Sequence, residues 1–566
     1  MTFRNAPPGN QQRVIGALLA LSLLLSGCAM QAASTGTART HPSLRADLSR
    51  NSGERVRKDI EWLADDARQG RDTGSEGYAD AADYVADQFA AMGLRPSAAL
   101  TRWGQRVQFR KVTEVRDRTL FSLQRSGRDP EHFSIDGDFR LFPTTEFPSV
   151  QMDNVPLQFV GYGIDAPCAD YSSYGKEDLT GKVAVFFRGV PERVTGTCGM
   201  FYGSNGEKAR AAGRRGAIGA IVLFRPKDYD PENWKRLTAA PGYSAMNWLS
   251  ETGEANSTAP GLMVLGNLSP DATASLFEGS ALSYRSLGEA ADAGKELESF
   301  PLVPSASIKL ESTVEEFSSD NVVGVLEGTD PVLRDEYIVM SAHLDHIGVD
   351  RKRLEQGEDG IFNGAADNAS GVAAMLETAR YLLAKARPRR SIIFVAVTGE
   401  EKGLLGSEYF AKNPPIAGGR IVFDVNLDMP IAQHEFTDVA AVGSSYTNLH
   451  ELVIKTLEKN GLQYAENPIT VVPVLFASDH FSFIREGIPS IYLTPGFANG
   501  GEEKFNDLFF QHYHQPSDEA SVISRPDQLA RFAHIVGDVI AAIADNQATP
   551  SWSSSSGEQS IFSTGR

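Results

Sequence analysis

The chain is poor in cysteine, in positive charge and in long apolar runs, and each shortage excludes something. Three cysteines among 566 residues cannot form the disulfide framework of a small secreted scaffold, so a hydrophobic core has to hold the fold. Basic residues number 54 against 72 acidic ones, a formal net charge of -18, and no Lys/Arg-rich stripe stands ready to neutralise phosphates. Nucleic acid is therefore excluded as the expected partner. The apolar run "VIGALLALSLLL" has 12 residues, short of the roughly 20 that span a bilayer, and no later segment reads as membrane-spanning. A G-x-S-x-G elbow is also missing, which disfavours a serine hydrolase.

The length implies two or three folding units plus tails. Arg4 and Arg13 ahead of the apolar run read as an export signal. That run ends in "LSGC", Leu25 to Cys28, which resembles the bacterial lipobox. The resemblance implies cleavage before Cys28, lipidation of its thiol, and a location on the periplasmic or outer-membrane side of the cell envelope. The competing reading is an ordinary signal with a chance cysteine, and export follows from both. In an exporting compartment Cys168 and Cys198 are expected to be bonded, the alternative being two buried free thiols. Residues 1–27 are thus read as the lipoprotein signal peptide, 28–48 as a small polar tether and the Ser-rich 546–566 as a disordered tail.

Between the tails three textures follow one another. Apolar residues at helical spacing (Ile60, Leu63, Ala64, then Ala81, Tyr84, Val85, Phe89) predict two amphipathic helices separated by the turn-rich "QGRDTGSEG". From about 150 to 300 short β-type runs broken by Gly and Pro take over, with "FVGYGI", "DLTGKVAVFFRG" and "KARAAGRRGAIGAIVLF" among them. These stretches resemble the protease-associated domain. After Asp320 strands alternate with helices. "NVVGVLEG", "EYIVMSAHLDH", "SIIFVAVTGEE", "RIVFDVNLDM" and "PSIYLTP" read as strands, and "GVAAMLETARYLLAKA" as a helix. Near-continuous apolar strands imply a sheet covered by helices on both faces, and ligands of such sheets sit beyond the carboxyl ends of the strands. The expected fold is α/β: a mixed, mainly parallel central sheet with helices on both faces and an inserted smaller β-rich domain.

The strand ends carry chemistry. One runs into "HLDH" (His343 to His346), another into Glu400 and Glu401, a third into Asp428. The loop "GAADNASG" holds Asp367, and "HYHQPSD" supplies His512, His514 and Asp518. Taken singly each is an ordinary loop charge or hydrogen-bonded histidine; their arrival at one sheet edge points to a metal centre. Imidazole mixed with carboxylate oxygen suits zinc better than calcium or magnesium. The period-2 alternation of a strand places His343 and Asp345 on one side, so that Asp345 can accept the second ring N–H of a metal-bound histidine or orient it through a neighbour.

"SAHLDHIG", "GAADNASG", "TGEEKGLLGS", "NLDM" and "YHQPSD", in this order, resemble the double-zinc aminopeptidase family that includes glutamate carboxypeptidase II and the glutaminyl cyclases. The resemblance covers roughly 310 to 545, and "GRDTGSEG" resembles the start of the same catalytic domain. It implies two zinc ions: His343 and Asp428 on one, Glu401 and His514 on the other, Asp367 bridging. Glu400 is implied as general base and the bond after Asp367 as cis, and Asp345, through the histidine it orients, is counted with Glu400 among the catalytic residues. Ala366 stands where the family often has aspartate, a position that is not a ligand. His346, His480 and His512 compete for the metal roles. Asp479 and His480 either line the substrate pocket or close a loop, and Asp518 is assigned to the surroundings of the ligands or the substrate.

The organisation expected is 49–140 and 311–545 for the peptidase domain, with 141–310 as the protease-associated insertion. The expected activity is removal of N-terminal residues from peptides with a free N-terminus. The rivals are a carboxypeptidase of the same family and a non-catalytic surface binding protein.

Overall fold

The computed structural model describes residues 42–553 apart from 240, 241 and 471, so the signal, Cys28 and the last residues of the tail lie outside the described part. The main path of the larger sheet runs through β1 (Gly104–Glu114), β2 (Ser244–Trp248), β3 (Ser312–Leu326), β4 (Glu336–His343), β5 (Ser391–Val397), β6 (Arg420–Asn426), β7 (Asp438–Val442), β8 (Gln463–Ala465) and β9 (Ser490–Pro495), and the short Arg95–Pro96 pairs with β3 beside it. Their order is β2-β1-β3-β5-β4-β6-β9-β7-β8. The central run β5-β4-β6-β9 is parallel. The flanks are mixed: β2, β1, β3 and β5 pair antiparallel, as do β7 and β9, while β8 pairs parallel with β7 at the edge. The sheet is therefore mixed, with its parallel pairing concentrated at the centre.

Alternation along the central strands explains the two covered faces. Ile338, Met340, Ile392 and Phe394 join one core with residues of helices α1 (Pro42–Leu63), α4 (Ser370–Leu383) and α7 (Pro526–Asp545). Val339, Ile393, Val395 and Val397 point the other way, onto Phe410 of α5 (Leu405–Lys412) and Phe483. Each such side chain contributes about 1.5–3 kcal/mol on burial, which makes the centre of the sheet the rigid platform of the molecule. Among the described residues no helix is long and apolar enough to cross a membrane.

The expected pair of N-terminal helices is α1 and α2 (Glu76–Met92); the Ser75 hydroxyl caps α2 by accepting from the Tyr78 N–H. Helix α1 begins at Pro42, so the last residues assigned to the tether are helical. The tail is also shorter than expected. Asn546 and Ala548 carbonyls accept from Arg390, Asn448 and Ser551 bond reciprocally, and the Trp552 indole donates to Gly487, so the chain stays attached to the sheet edge as far as Ser553.

A second, eight-stranded sheet holds Leu120–Gln124, Glu131–His132, Phe139–Pro143, Val150–Phe159, Val183–Phe187, Gly219–Leu223, Val264–Leu268 and Phe300–Leu310. It corrects the boundary expected at 140/141, which cuts through Phe139–Pro143. That strand pairs with Val264–Leu268, and Phe139 and Leu141 are buried, so pairing over more than a hundred residues decides membership and local texture does not. Conversely, β2 leaves the 141–310 segment and edges the main sheet. A buried ion pair, Arg140 Nη2 to Glu114 at 3.1 Å, joins the two sheets. In the insertion Cys168 and Cys198 form a disulfide that ties helix α3 (Gly196–Tyr202) to the turn at Pro167–Ala169.

Candidate active site

The central strands end level. His343, the last residue of β4, is in register with Val397, the last of β5, and Leu427 and Asp428 follow β6 directly. Three loops thus leave the same edge and carry His343 to His346, Glu400 and Glu401, and Asp428. A fourth contribution comes from the tight turn Ala365–Ala369 that opens α4. Gly364 enters this turn at φ 57°, where a Cβ would stand 2.3 Å from the Asp367 carbonyl oxygen and 2.5 Å from the His346 ring, so only glycine fits. The Asp367–Asn368 peptide bond is cis. The Asn368 amide donates to the Leu427 carbonyl and accepts from the N–H groups of Gly371 and Met429, which fastens this turn to the β6 loop.

Asp367 divides its two carboxylate oxygens between two sets. Oδ1 lies 3.1 Å from His343 Nε2, which is itself 3.2 Å from Asp428 Oδ1. Oδ2 lies 3.2 Å from His514 Nε2, which is again 3.2 Å from Glu401 Oε2. His346 stands behind the second set, with Nδ1 2.8 Å from Glu401 Oε1 and 3.6 Å from Asp367 Oδ2. Among the described residues neither His346 ring nitrogen has a well-aligned hydrogen bond, and neither has Glu401 Oε1. Donor atoms of His343, Glu400 and Asp428, and of His346, Asp367 and Glu401, lie within 4.8 Å of one another. Converging lone pairs with unsatisfied buried atoms are what a divalent-metal site requires, and the donor types fit zinc.

The neighbouring glutamates are pushed in opposite directions. Burial raises the Glu400 carboxyl well above the usual range, with Asp428 and Asp479 adding to the effect against His343. Burial also acts on Glu401, yet its contacts with His346 and His514 hold its pKa below the usual value. In the metal-free chain burial disfavours a charged His343, but Asp428, Glu400 and Asp367 outweigh it and raise its pKa well above normal.

The other expected site residues are placed as follows. Asp345 is wholly buried, but beyond the end of β4 the strand alternation no longer applies. Its carbonyl oxygen, not its carboxylate, faces His343 Nδ1 at 3.1 Å. The carboxylate accepts from the N–H groups of Glu400 and Glu401 and from the Thr73 hydroxyl. Asp518 accepts from the N–H groups of Ala366 and Asp367 and so braces the turn that carries Asp367. Asp479 is buried with both carboxylate oxygens lacking hydrogen-bond partners among the described residues, and burial raises its pKa to about 7. His480 is buried against Tyr492, and His512 bonds to Ser517 on the exposed side; neither joins the cluster.

Beside the carboxylates a cleft opens that the sequence reading did not foresee. Asp367, Glu400 and Asp428 form one side; Ile469, Val474, Phe505, Phe509 and Tyr513 make an apolar wall. Ala477 and Ser478 line it where Asp479 and His480 do not. Helix α6 (Gly501–Gln511) supplies the two phenylalanines, and Phe509, Tyr513 and His514 stack successively at 4.9 and 3.8 Å. The spacing of Phe505, Phe509 and Tyr513, four residues apart, was the signal available in the sequence.

Residues 321–540 match peptidase family M28. That match covers less than half of the chain. Its relatives include a probable zinc metalloprotease of Pyrenophora teres f. teres (38% identical over 109 residues, 19% of this chain and 22% of that protein) and leucine aminopeptidase 1 of Trichophyton rubrum (27% over 240 residues, 41% and 60%). Aminopeptidase NAALADL1 of Mus musculus is 34% identical over 119 residues, 20% of this chain and 14% of that protein. The chain thus spans less than two thirds of the length of each of these relatives. Among solved structures, an aminopeptidase from Aneurinibacillus sp. strain AM-1 superimposes with a TM-score of 0.48 at 20% identity, over 88% of this chain and 95% of that one. A zinc aminopeptidase from Bacillus subtilis gives 0.42 at 19%, over 88% and 96%. The matched segment contains every candidate ligand and both glutamates.

Proposed function

We propose that the chain is a zinc-dependent aminopeptidase that removes N-terminal residues from peptides. The observation that carries this reading is Asp367, whose two oxygens face separate imidazole–carboxylate sets. His343, Asp428 and Asp367 would hold one zinc; Glu401, His514 and Asp367 the other. His346 holds the outer oxygen of Glu401 and is assigned to orienting it. When bound, two such ions polarise the scissile carbonyl and make water a nucleophile near neutral pH.

Glu400 is left free of the Asp367 contacts and supplies the proton chemistry. It takes the proton of the attacking water and passes it to the departing amine. Asp345 holds the two glutamates by their N–H groups, which fixes which carboxylate faces which set. The apolar wall of the cleft favours an uncharged first side chain.

Two observations weigh against the rivals. A carboxypeptidase needs a cation for the terminal carboxylate, but Arg485 lies near Glu408 and Arg525 is engaged by Asp527, and neither lines the cleft. A non-catalytic binding protein has no need of a general base, and Glu400 beside His343 and Asp428 supports the enzyme reading instead. The second sheet is read as a protease-associated domain. The exported, lipid-anchored location from Leu25 to Cys28 belongs to the same proposal, supported by the disulfide, which is at home in an oxidising compartment.

The test is zinc content per chain together with hydrolysis of aminoacyl anilides and N-blocked peptides, for wild type and Glu400→Gln. Nearly two zincs in both proteins, with cleavage only of free-amine substrates and only by wild type, is expected. Activity retained in the variant, or a preference for blocked peptides, would refute the assignment.

A further inference from the structure

The stretch "GRDTGSEG" supplies none of the candidate ligands, yet Arg71 within it lies beneath the site and is 1% exposed. Its guanidinium makes four hydrogen bonds, all to main-chain carbonyls: Nε to Leu344 at 2.9 Å, Nη1 to Leu63 and to Asn363 at 2.7 Å each, Nη2 to Gly364 at 2.9 Å. Leu344 follows His343, and Gly364 opens the turn that presents Asp367.

The rest of the segment reaches the remaining loops. The Arg71 carbonyl accepts from the His346 N–H at 3.2 Å, and Asp72 pairs with Lys402 at 2.8 Å. Thr73 donates to the Asp345 carboxylate at 3.0 Å, the same carboxylate that receives the N–H groups of Glu400 and Glu401. One short segment therefore touches the three loops that deliver His343, Asp367 and Glu401. It is pressed there at a cost. Gln69, Gly70 and Arg71 are left-handed in succession (φ 47°, 65° and 49°), and a Cβ on Gly70 would stand 2.4 Å from the Gly348 carbonyl oxygen.

The electrostatics give this arrangement a purpose. Asp345, Asp367, Glu400, Glu401, Asp428 and Asp518 crowd one edge, and without counter-charge their repulsion spreads the loops. A buried guanidinium is costly, and it is tolerated here because Asp518, Asp367, Asp345 and Glu401 favour its charged form. We propose that Arg71 is a positioning residue that holds the ligand loops in binding geometry before any metal arrives, so that zinc affinity, and not the fold alone, depends on its planar fork. Lysine keeps the charge, but a compact ammonium with three donors cannot span four carbonyls on three segments.

The inference rests on reading His343, Asp367 and Glu401 as ligands, and its test separates the two. Full-length wild type, Arg71→Lys and Thr73→Val are compared by chelator-competition titration of zinc, with circular dichroism and melting of the metal-free proteins. We expect folded Arg71→Lys to bind zinc 10–100-fold more weakly, as when other supports behind a ligand are removed, and Thr73→Val to weaken it by less. A folded Arg71→Lys with affinity within about twofold of wild type overturns the proposal. If Arg71→Lys does not fold, Thr73→Val decides: weakened zinc binding sustains the brace, and wild-type affinity assigns the segment to folding alone and overturns it. Wild type that binds no zinc sinks the ligand reading itself, whatever the variants do.

Discussion

The carbonyl oxygen of Asp345 faces His343 Nδ1, while its carboxylate turns away to the N–H groups of Glu400 and Glu401. The residue therefore acts on the glutamates through its side chain and on the histidine through its backbone. Asp345→Asn leaves the backbone contact intact but brings an amide donor against an N–H. A fall in kcat of about 10–100-fold with zinc content preserved is expected, measured by steady-state kinetics and metal analysis on one preparation. Loss of metal with kcat per bound zinc unchanged would place Asp345 with the histidine instead.

The proposed function gives the neighbours Glu400 and Glu401 separate tasks. Glu401→Gln removes the charge that His514 and His346 contact, so metal content and activity should fall together. In Glu400→Gln metal should stay while turnover drops by at least about a hundredfold, the scale of a lost general base. Equal zinc loss in both variants contradicts the division.

The apolar wall makes a prediction about the substrate. Val474→Asp puts a carboxylate into the cleft that Glu400 also lines. It should raise KM for leucyl or phenylalanyl substrates by about tenfold or more while leaving alanyl substrates less affected. A uniform change across the panel means the cleft does not receive the first side chain.

Asp424 gives a pH test away from the ligands. Burial raises its pKa to about 8, against the bonds donated by Ser341 and Ser490. The folded chain keeps a proton that the unfolded chain releases above about pH 4, so this contribution is full below pH 4 and is lost as pH rises towards 8. Its slope is at most about 1.4 kcal/mol per pH unit. Asp424→Asn should flatten the fall of Tm between pH 5 and 8 relative to wild type, and parallel curves would show that Asp424 does not carry it.

The sequence by itself determined the chemistry on offer. β-branched runs ending in His343, in Glu400 and Glu401, and in Asp428 announce strands that deliver polar residues to one edge, because alternation and apolar content are local properties of the chain. Helices α1, α2 and α4 were legible for the same reason. Tertiary structure decided the rest, where distant segments meet. It placed Ser244–Trp248 in the main sheet and Phe139–Pro143 in the other, since strand partners are chosen across the fold. It set His346 behind Glu401 and His514 in front, a distinction that two histidines in a sequence do not carry. It also turned Arg71 from one residue of a polar loop into the cation beneath the candidate ligands, because four carbonyls from three segments converge on a guanidinium only once the chain has closed around it.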